Sequence, residues 1–221
     1  MKTYAFLALL TLFANVPPPV PPTPWPTIPP PAPPPPEVPV RDYFPVHRKW
    51  VYHYVETPNL ARWKRVFEAR ETVNDTPCQR WVRLPDAGTD PNPREVTLIS
   101  DDWQGLRLHA LRRDGLNLVL SPALTLAEAD LAAGPDEHAA TYELASGIFA
   151  WRASVVSRTE DVQTGLGLLK HCLHLRIAVT QRTSVQTTED SWFAPGIGLV
   201  KRVGAPMAPG GEELLIALDR D

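Results

Sequence analysis

Residues 49–57 read Lys49-Trp50-Val51-Tyr52-His53-Tyr54-Val55-Glu56-Thr57. On an extended chain Trp50, Tyr52 and Tyr54 fall on one side and Val51, His53 and Val55 on the other, a period of two filled with aromatic and β-branched residues. The window 62–73 alternates again, with Trp63, Phe67 and Val73 at odd positions and Lys64, Glu68 and Arg70 at even ones. Asn74-Asp75-Thr76-Pro77 has turn chemistry and 78–84 returns as a strand, so the pair reads as a hairpin. Beyond the proline-containing loop at 85–93, strands are expected at 94–100, 105–112, 116–120, 141–144, 149–158, 168–180, 183–193, 198–203 and 213–218. Short strands at this spacing without long helices exclude a parallel α/β sheet. The expected fold is mainly β: a single antiparallel, strongly curved sheet or half-open barrel of about ten strands with at most one short helix, with a β-sandwich as the alternative. The helix candidate is 125–133, made of good helix formers and followed by Gly134-Pro135 as a stop.

Upstream of this domain the composition changes. The chain has 221 residues and 26 prolines, and 15 of those prolines fall within 17–40. Proline fixes φ and removes the amide donor, so the tract excludes helix and sheet and reads as a polyproline II tether. At about 3.1 Å per residue it reaches on the order of 70 Å. Spacings such as Pro19 to Pro22, with Trp25 embedded, also suit docking in an aromatic groove, but a spacer is the plainer reading. Before the tract, Met1 and Lys2 precede an apolar run at 4–13 and a small residue, Ala14, which is the layout of a secretory signal peptide. That run is about half of the roughly 20 residues a spanning helix needs. The organisation expected is therefore a signal peptide at 1–14, a tether at 15–40 and an antiparallel β domain at 41–221, with no transmembrane span after cleavage. Export to the periplasm or the extracellular space follows. A formal net charge of -3 argues against nucleic acid as a partner.

Chemistry is sparse. Cys78 and Cys172 are the two cysteines; in an oxidising compartment they admit a disulfide, and two buried thiols are the alternative. His171-Cys172-Leu173-His174 resembles a metal cluster, but Cys172 and His174 share a strand face, His171 points away, and structural zinc wants four ligands. No cofactor or metal is expected. Asp101-Asp102 and Glu189-Asp190 are adjacent acids whose side chains diverge on a strand, whereas acid–base work needs carboxyls that converge. Nucleophile-elbow, metalloprotease, phosphate-loop and dinucleotide motifs are missing. Arg62, Lys64 and Arg65 around Trp63 form the densest basic and aromatic patch, read as a solvent face.

One stretch, Ser191-Trp192-Phe193-Ala194-Pro195-Gly196-Ile197-Gly198-Leu199-Val200-Lys201, combines a turn pair, Pro195-Gly196, with a second glycine, Gly198. Trp192, Phe193, Pro195, Gly196, Gly198 and Lys201 read as a structural corner, with Trp192 and Leu199 packing across a hairpin. The stretch resembles the carboxyl-terminal signature of uncharacterised bacterial envelope proteins, including the TapB-like group. Asp42-Tyr43-Phe44-Pro45 before Lys49-Trp50-Val51-Tyr52 resembles the opening of that family, and Leu169-Lys170-His171-Cys172-Leu173 its penultimate strand. Thr164-Gly165-Leu166-Gly167-Leu168 departs from the pattern. The resemblance implies an exported β-sheet domain without an established catalytic activity and carries over no active site. The expected function is an exported, non-catalytic cell-envelope protein that binds an envelope protein partner or an apolar ligand on a curved sheet. The alternative is a hydrolase whose residues converge only in three dimensions, with His53, His109 or His174 as base.

Overall fold

A computed structural model describes residues 38–47, 49–87, 92–113, 115–131, 136–144, 147–181, 185–205 and 208–220. The expected signal peptide, nearly all of the proline tract, Asp114 and Gly134-Pro135 lie outside them. A single 3-10 turn at Val40–Tyr43 precedes β1 (Val51–Thr57), β2 (Ala61–Val73), β3 (Thr76–Pro85), β4 (Glu95–Asp102), β5 (Gly105–Arg113) and β6 (Leu116–Glu128). The second half holds β7 (Glu137–Leu144), β8 (Gly147–Thr164), β9 (Gly167–Gln181), β10 (Val185–Ala194), β11 (Gly198–Ala205) and β12 (Ala208–Asp219).

The strands form one antiparallel sheet in the order β6-β5-β4-β3-β2-β1-β12-β11-β10-β9-β8-β7. Pairing of β1 with β12 joins the two ends of the domain. The edge strands β6 and β7 meet without a ladder, and the Tyr142 hydroxyl donates to the Pro122 carbonyl at 2.9 Å between them. The result is a nearly closed barrel, the curved form of the expected sheet, with twelve strands among the described residues instead of about ten.

The order is six strands laid down twice, 6-to-1 followed by 12-to-7. Local irregularities repeat as well. A bulge at His109 of β5, opposite Leu98 and Ile99 of β4, is matched by one at Val200 of β11, opposite Trp192 and Phe193 of β10. In each half the second and third strands extend into an arm. The first arm turns at Asn74-Asp75, both at positive φ, as a two-residue type I′ hairpin requires. Its Val73 and Cys78 pack on Val82, Val96, Leu98 and Ala110. Trp81 and Ile99 face the interior, so alternation places Val82 and Leu98 outside, under the arm. The second arm ends at Gly165, whose N–H donates to the Leu215 carbonyl on β12 at 2.9 Å.

Two expectations are corrected. The helix candidate at 125–133 is strand as far as Glu128, because Leu124 and Leu126 join the main core and Ala127 pairs with Leu106. Tertiary pairing overrides helix propensity there. The disulfide is not formed: Cys78 and Cys172 are both free and buried. They lie in separate apolar clusters, Cys78 under the first arm and Cys172 in the main core, and burial pushes the Cys172 thiol up to about 11.

Candidate functional site: a filled interior and an open end groove

Inward positions on β2, β3, β4, β11 and β12 carry charge where a barrel interior normally carries apolar side chains. Arg65 donates to Glu95 at 2.9 Å and to Glu213 at 3.0 Å. Arg202 donates to the same two carboxylates, at 2.7 Å and 3.0 Å. The four side chains close a ring that spans the interior from one half of the sheet to the other. Arg83 Nε lies 2.6 Å from Glu213 as an ion pair, and Arg83 also donates to Glu56 at 2.9 Å. Burial alone would raise both ring carboxyls, but Arg202 and Arg65 outweigh it and hold Glu95 well below the usual range. Arg65, Arg202 and Arg83 likewise hold Glu213 at about 2. Glu189 differs: burial raises its carboxyl in spite of Arg202, and the Ser191 hydroxyl donates to it at 2.9 Å.

Beside the ring lies an interior cavity of about 70 Å³, walled by Phe44, Trp81, Ile99, Leu108, Leu111, Leu126, Leu175, Ile177, Phe193 and Leu199. Drug-sized ligands occupy about 300–1,000 Å³, so the interior has no room for a lipid chain. Its upper end is stopped by Phe44, whose ring lies 4.2 Å from that of Phe193 and is tilted by 39° to it. The 3-10 turn itself is tied there, since Gly196 N–H donates to the Asp42 carbonyl at 2.7 Å.

On the far side of Phe44 is a groove of about 670 Å³ lined by Arg41, Asp42, Pro45 and Val46, by Arg70, Thr76, Pro77 and Gln79 of the first arm, by Ser100, Asp101 and Asp102, and by Pro195 and Gly196. Burial, and then the neighbouring Asp102, raise the Asp101 carboxyl. Beneath this wall the Ser100 hydroxyl lies 2.8 Å from His109 Nε2. Burial lowers the His109 pKa, with Arg107 adding to the effect, so the imidazole is neutral at pH 7.

The remaining sequence candidates scatter. His53 lies between Asp86 at 2.8 Å and Asp219 at 3.0 Å. His174 lies between Glu160 at 2.9 Å and Asp190 at 2.7 Å and stacks on Trp192. Trp192 donates from its indole to Glu160 at 2.6 Å, and Lys201 sits 5.1 Å above its ring. Among the described residues no group of three or more His, Cys, Asp or Glu could hold a metal ion, and no helix is long and apolar enough to cross a membrane.

The carboxyl-terminal motif forms the β10–β11 turn, with Gly196 at φ +70 and Gly198 at φ +103. Trp192 faces outward onto His174, while Leu199 and Phe193 face the cavity, so the expected packing of Trp192 on Leu199 is replaced by packing on the other face. The basic patch divides in the same way. Lys64 and Arg62 stay outside, and Arg65 turns inward into the ring. Sequence reasoning missed the ring itself. The available signal was parity, because Arg65 shares its odd register with Trp63 and Phe67.

No protein-family model matches the chain, and no curated protein matches it. Two solved structures are similar to it. One is a lipoprotein candidate from Parabacteroides distasonis, at 15% identity and TM-score 0.41, covering 80% of this chain and 98% of that one. The other is a candidate exported protein with a YmcC-like fold from Bacteroides fragilis, at 11% identity and TM-score 0.40, also covering 80% and 98%.

Proposed function

We propose that this chain is an exported, non-catalytic cell-envelope protein of the kind its carboxyl-terminal motif resembles, and that it binds a partner protein in the groove beside Asp101. The carrying observation is a contrast in volume: about 70 Å³ inside the barrel against about 670 Å³ in the end groove. Only the second lies in the range of ligand sites. The groove combines an apolar floor of Phe44, Pro45, Pro77 and Pro195 with a rim of Arg41, Asp42, Arg70 and Asp102, a composition suited to a peptide segment of a folded partner. Export rests on the leader and the proline tract, which would hold the domain off its starting surface. Photo-crosslinking side chains at Val46 and Thr76, on two walls of the groove, should give one shared adduct in the cell envelope, and one at Val119 on β6 should not. Equal labelling from all three positions would contradict the reading.

The Ser100–His109 pair favours a second reading, hydrolysis, since a hydroxyl and a neutral imidazole at 2.8 Å are the first two parts of an acyl-transfer site. The pair is two of the three groups that such a site needs, which ranks this reading lower. A fluorophosphonate probe that labels Ser100, with labelling lost in His109→Gln, would establish it in place of the non-catalytic reading.

A further inference from the structure

The interior cavity has a chemical asymmetry that the groove does not share. Three of its lining residues carry buried donors without an acceptor: Trp81 through its indole N–H, and Arg65 and Arg202 through their Nε–H groups. They are neighbours, since the Arg65 guanidinium lies 4.9 Å from the Trp81 ring centroid and Arg65 and Arg202 share both ring carboxylates. Buried donors left unmet cost roughly 1–3 kcal/mol each. On that side the lining also holds Glu95, Thr97, Arg113, Glu189 and Ser191, and the remaining residues are aliphatic and aromatic, including Leu111, Leu126 and Ile177.

Charge points the same way. Arg65, Arg83, Arg113 and Arg202 face Glu56, Glu95, Glu213 and Glu189. Burial favours the protonated form of Glu189, and whenever it holds its proton the cluster carries one positive charge in excess. A cation would add to that excess. A single small anion would neutralise it and supply the missing acceptors.

We infer that the cavity is a binding site for a short-chain monocarboxylate of the size of acetate or propionate, with the carboxylate on the Trp81, Arg65 and Arg202 donors and the alkyl end against Leu111, Leu126 and Ile177. Its volume of about 70 Å³ limits the alkyl chain to one or two carbons. Entry requires transient opening of the barrel, on the microsecond-to-millisecond scale of such motions.

The test is a titration of the intact domain followed by methyl NMR. Acetate and propionate should shift the Leu111, Leu126 and Ile177 methyls saturably. Propylammonium, matched in size and opposite in charge, should not, and octanoate should not because it exceeds the cavity. Leu126→Phe, which fills the space, should weaken propionate binding roughly tenfold or more. The chain-length and charge series needs no variant, so the inference stays testable if Leu126→Phe does not fold. Equal response to propionate and propylammonium would overturn it. So would a cavity that gives lasting water contacts and no response to any carboxylate, because the donors would then be met by water.

Discussion

At the scale of single residues, Glu213 illustrates how a charge can be held inside a barrel. Removed from water alone it would be neutral, yet three guanidiniums reach it and keep it ionised with a pKa of about 2. Taking away one partner of such a buried group leaves the others uncompensated, so Glu213→Gln is expected to cost on the order of 3–5 kcal/mol. That corresponds to a melting temperature lower by about 10 °C, measurable by circular dichroism, while Glu212→Gln, half-buried on the outside, should change it little. The pH dependence follows in sign. A carboxylate lowered from 4.5 to about 2 in the folded state gives stability that is fully present above about pH 4.5 and is lost as pH falls towards 2, worth about 3 kcal/mol. Glu189 acts in the opposite sense. Its raised carboxyl lowers stability as pH climbs from the free glutamate value to its own folded value. Urea midpoints between pH 2 and 7 test both signs, and the acid-side loss should disappear in Glu213→Gln if that residue dominates it. Little of this was legible beforehand. Arg65 was counted with Arg62 and Lys64 as a basic surface, because neighbours in sequence look alike by charge while β geometry sorts them by parity.

Elements carry a different kind of constraint, since the two arms must bend back onto the sheet. At the tip of the second arm, a Cβ on Gly165 would lie 2.6 Å from the Ile216 Cα and carbonyl oxygen, where real side chains do not fit. Gly165→Ala should therefore release the tip from β12, costing about 1–3 kcal/mol, with faster proteolysis within 157–170 and a shift in Trp192 emission as its Glu160 bond loosens. Cleavage unchanged from wild type would count against the docked arm. The β10–β11 turn depends on conformation instead of space. Gly196 sits at φ +70 with nothing near its absent side chain, so Gly196→Val should lose about 1–3 kcal/mol from backbone strain alone. Gly196→Asn, which tolerates positive φ, should recover most of that in the same melting experiment. Turns of this kind were readable from composition, as Asn74-Asp75 and Pro195-Gly196 show. Strand 124–128 was not, because Leu, Ala and Glu favour a helix and only the β5 partner makes them extended.

For the whole molecule, the governing feature is a six-strand unit used twice and closed through the β1–β12 ladder. Two of the four ring bonds, Arg65 to Glu213 and Arg202 to Glu95, cross between the halves. Residues 38–131 expressed alone should accordingly stay unfolded by near-ultraviolet circular dichroism, and a cooperative melt from that fragment would show that the halves are independent. The repeat left no readable trace in sequence: the matching bulges at His109 and at Val200 involve unlike residues, and backbone geometry alone relates them. Closure and an interior cavity of only about 70 Å³ leave no room for a long acyl chain inside the barrel. Native mass spectrometry of the full chain, purified without detergent from its own host, tests that claim most directly. The account predicts a polypeptide mass with no lipid attached; a stoichiometric phospholipid or long-chain fatty acid retained on the folded protein would contradict it.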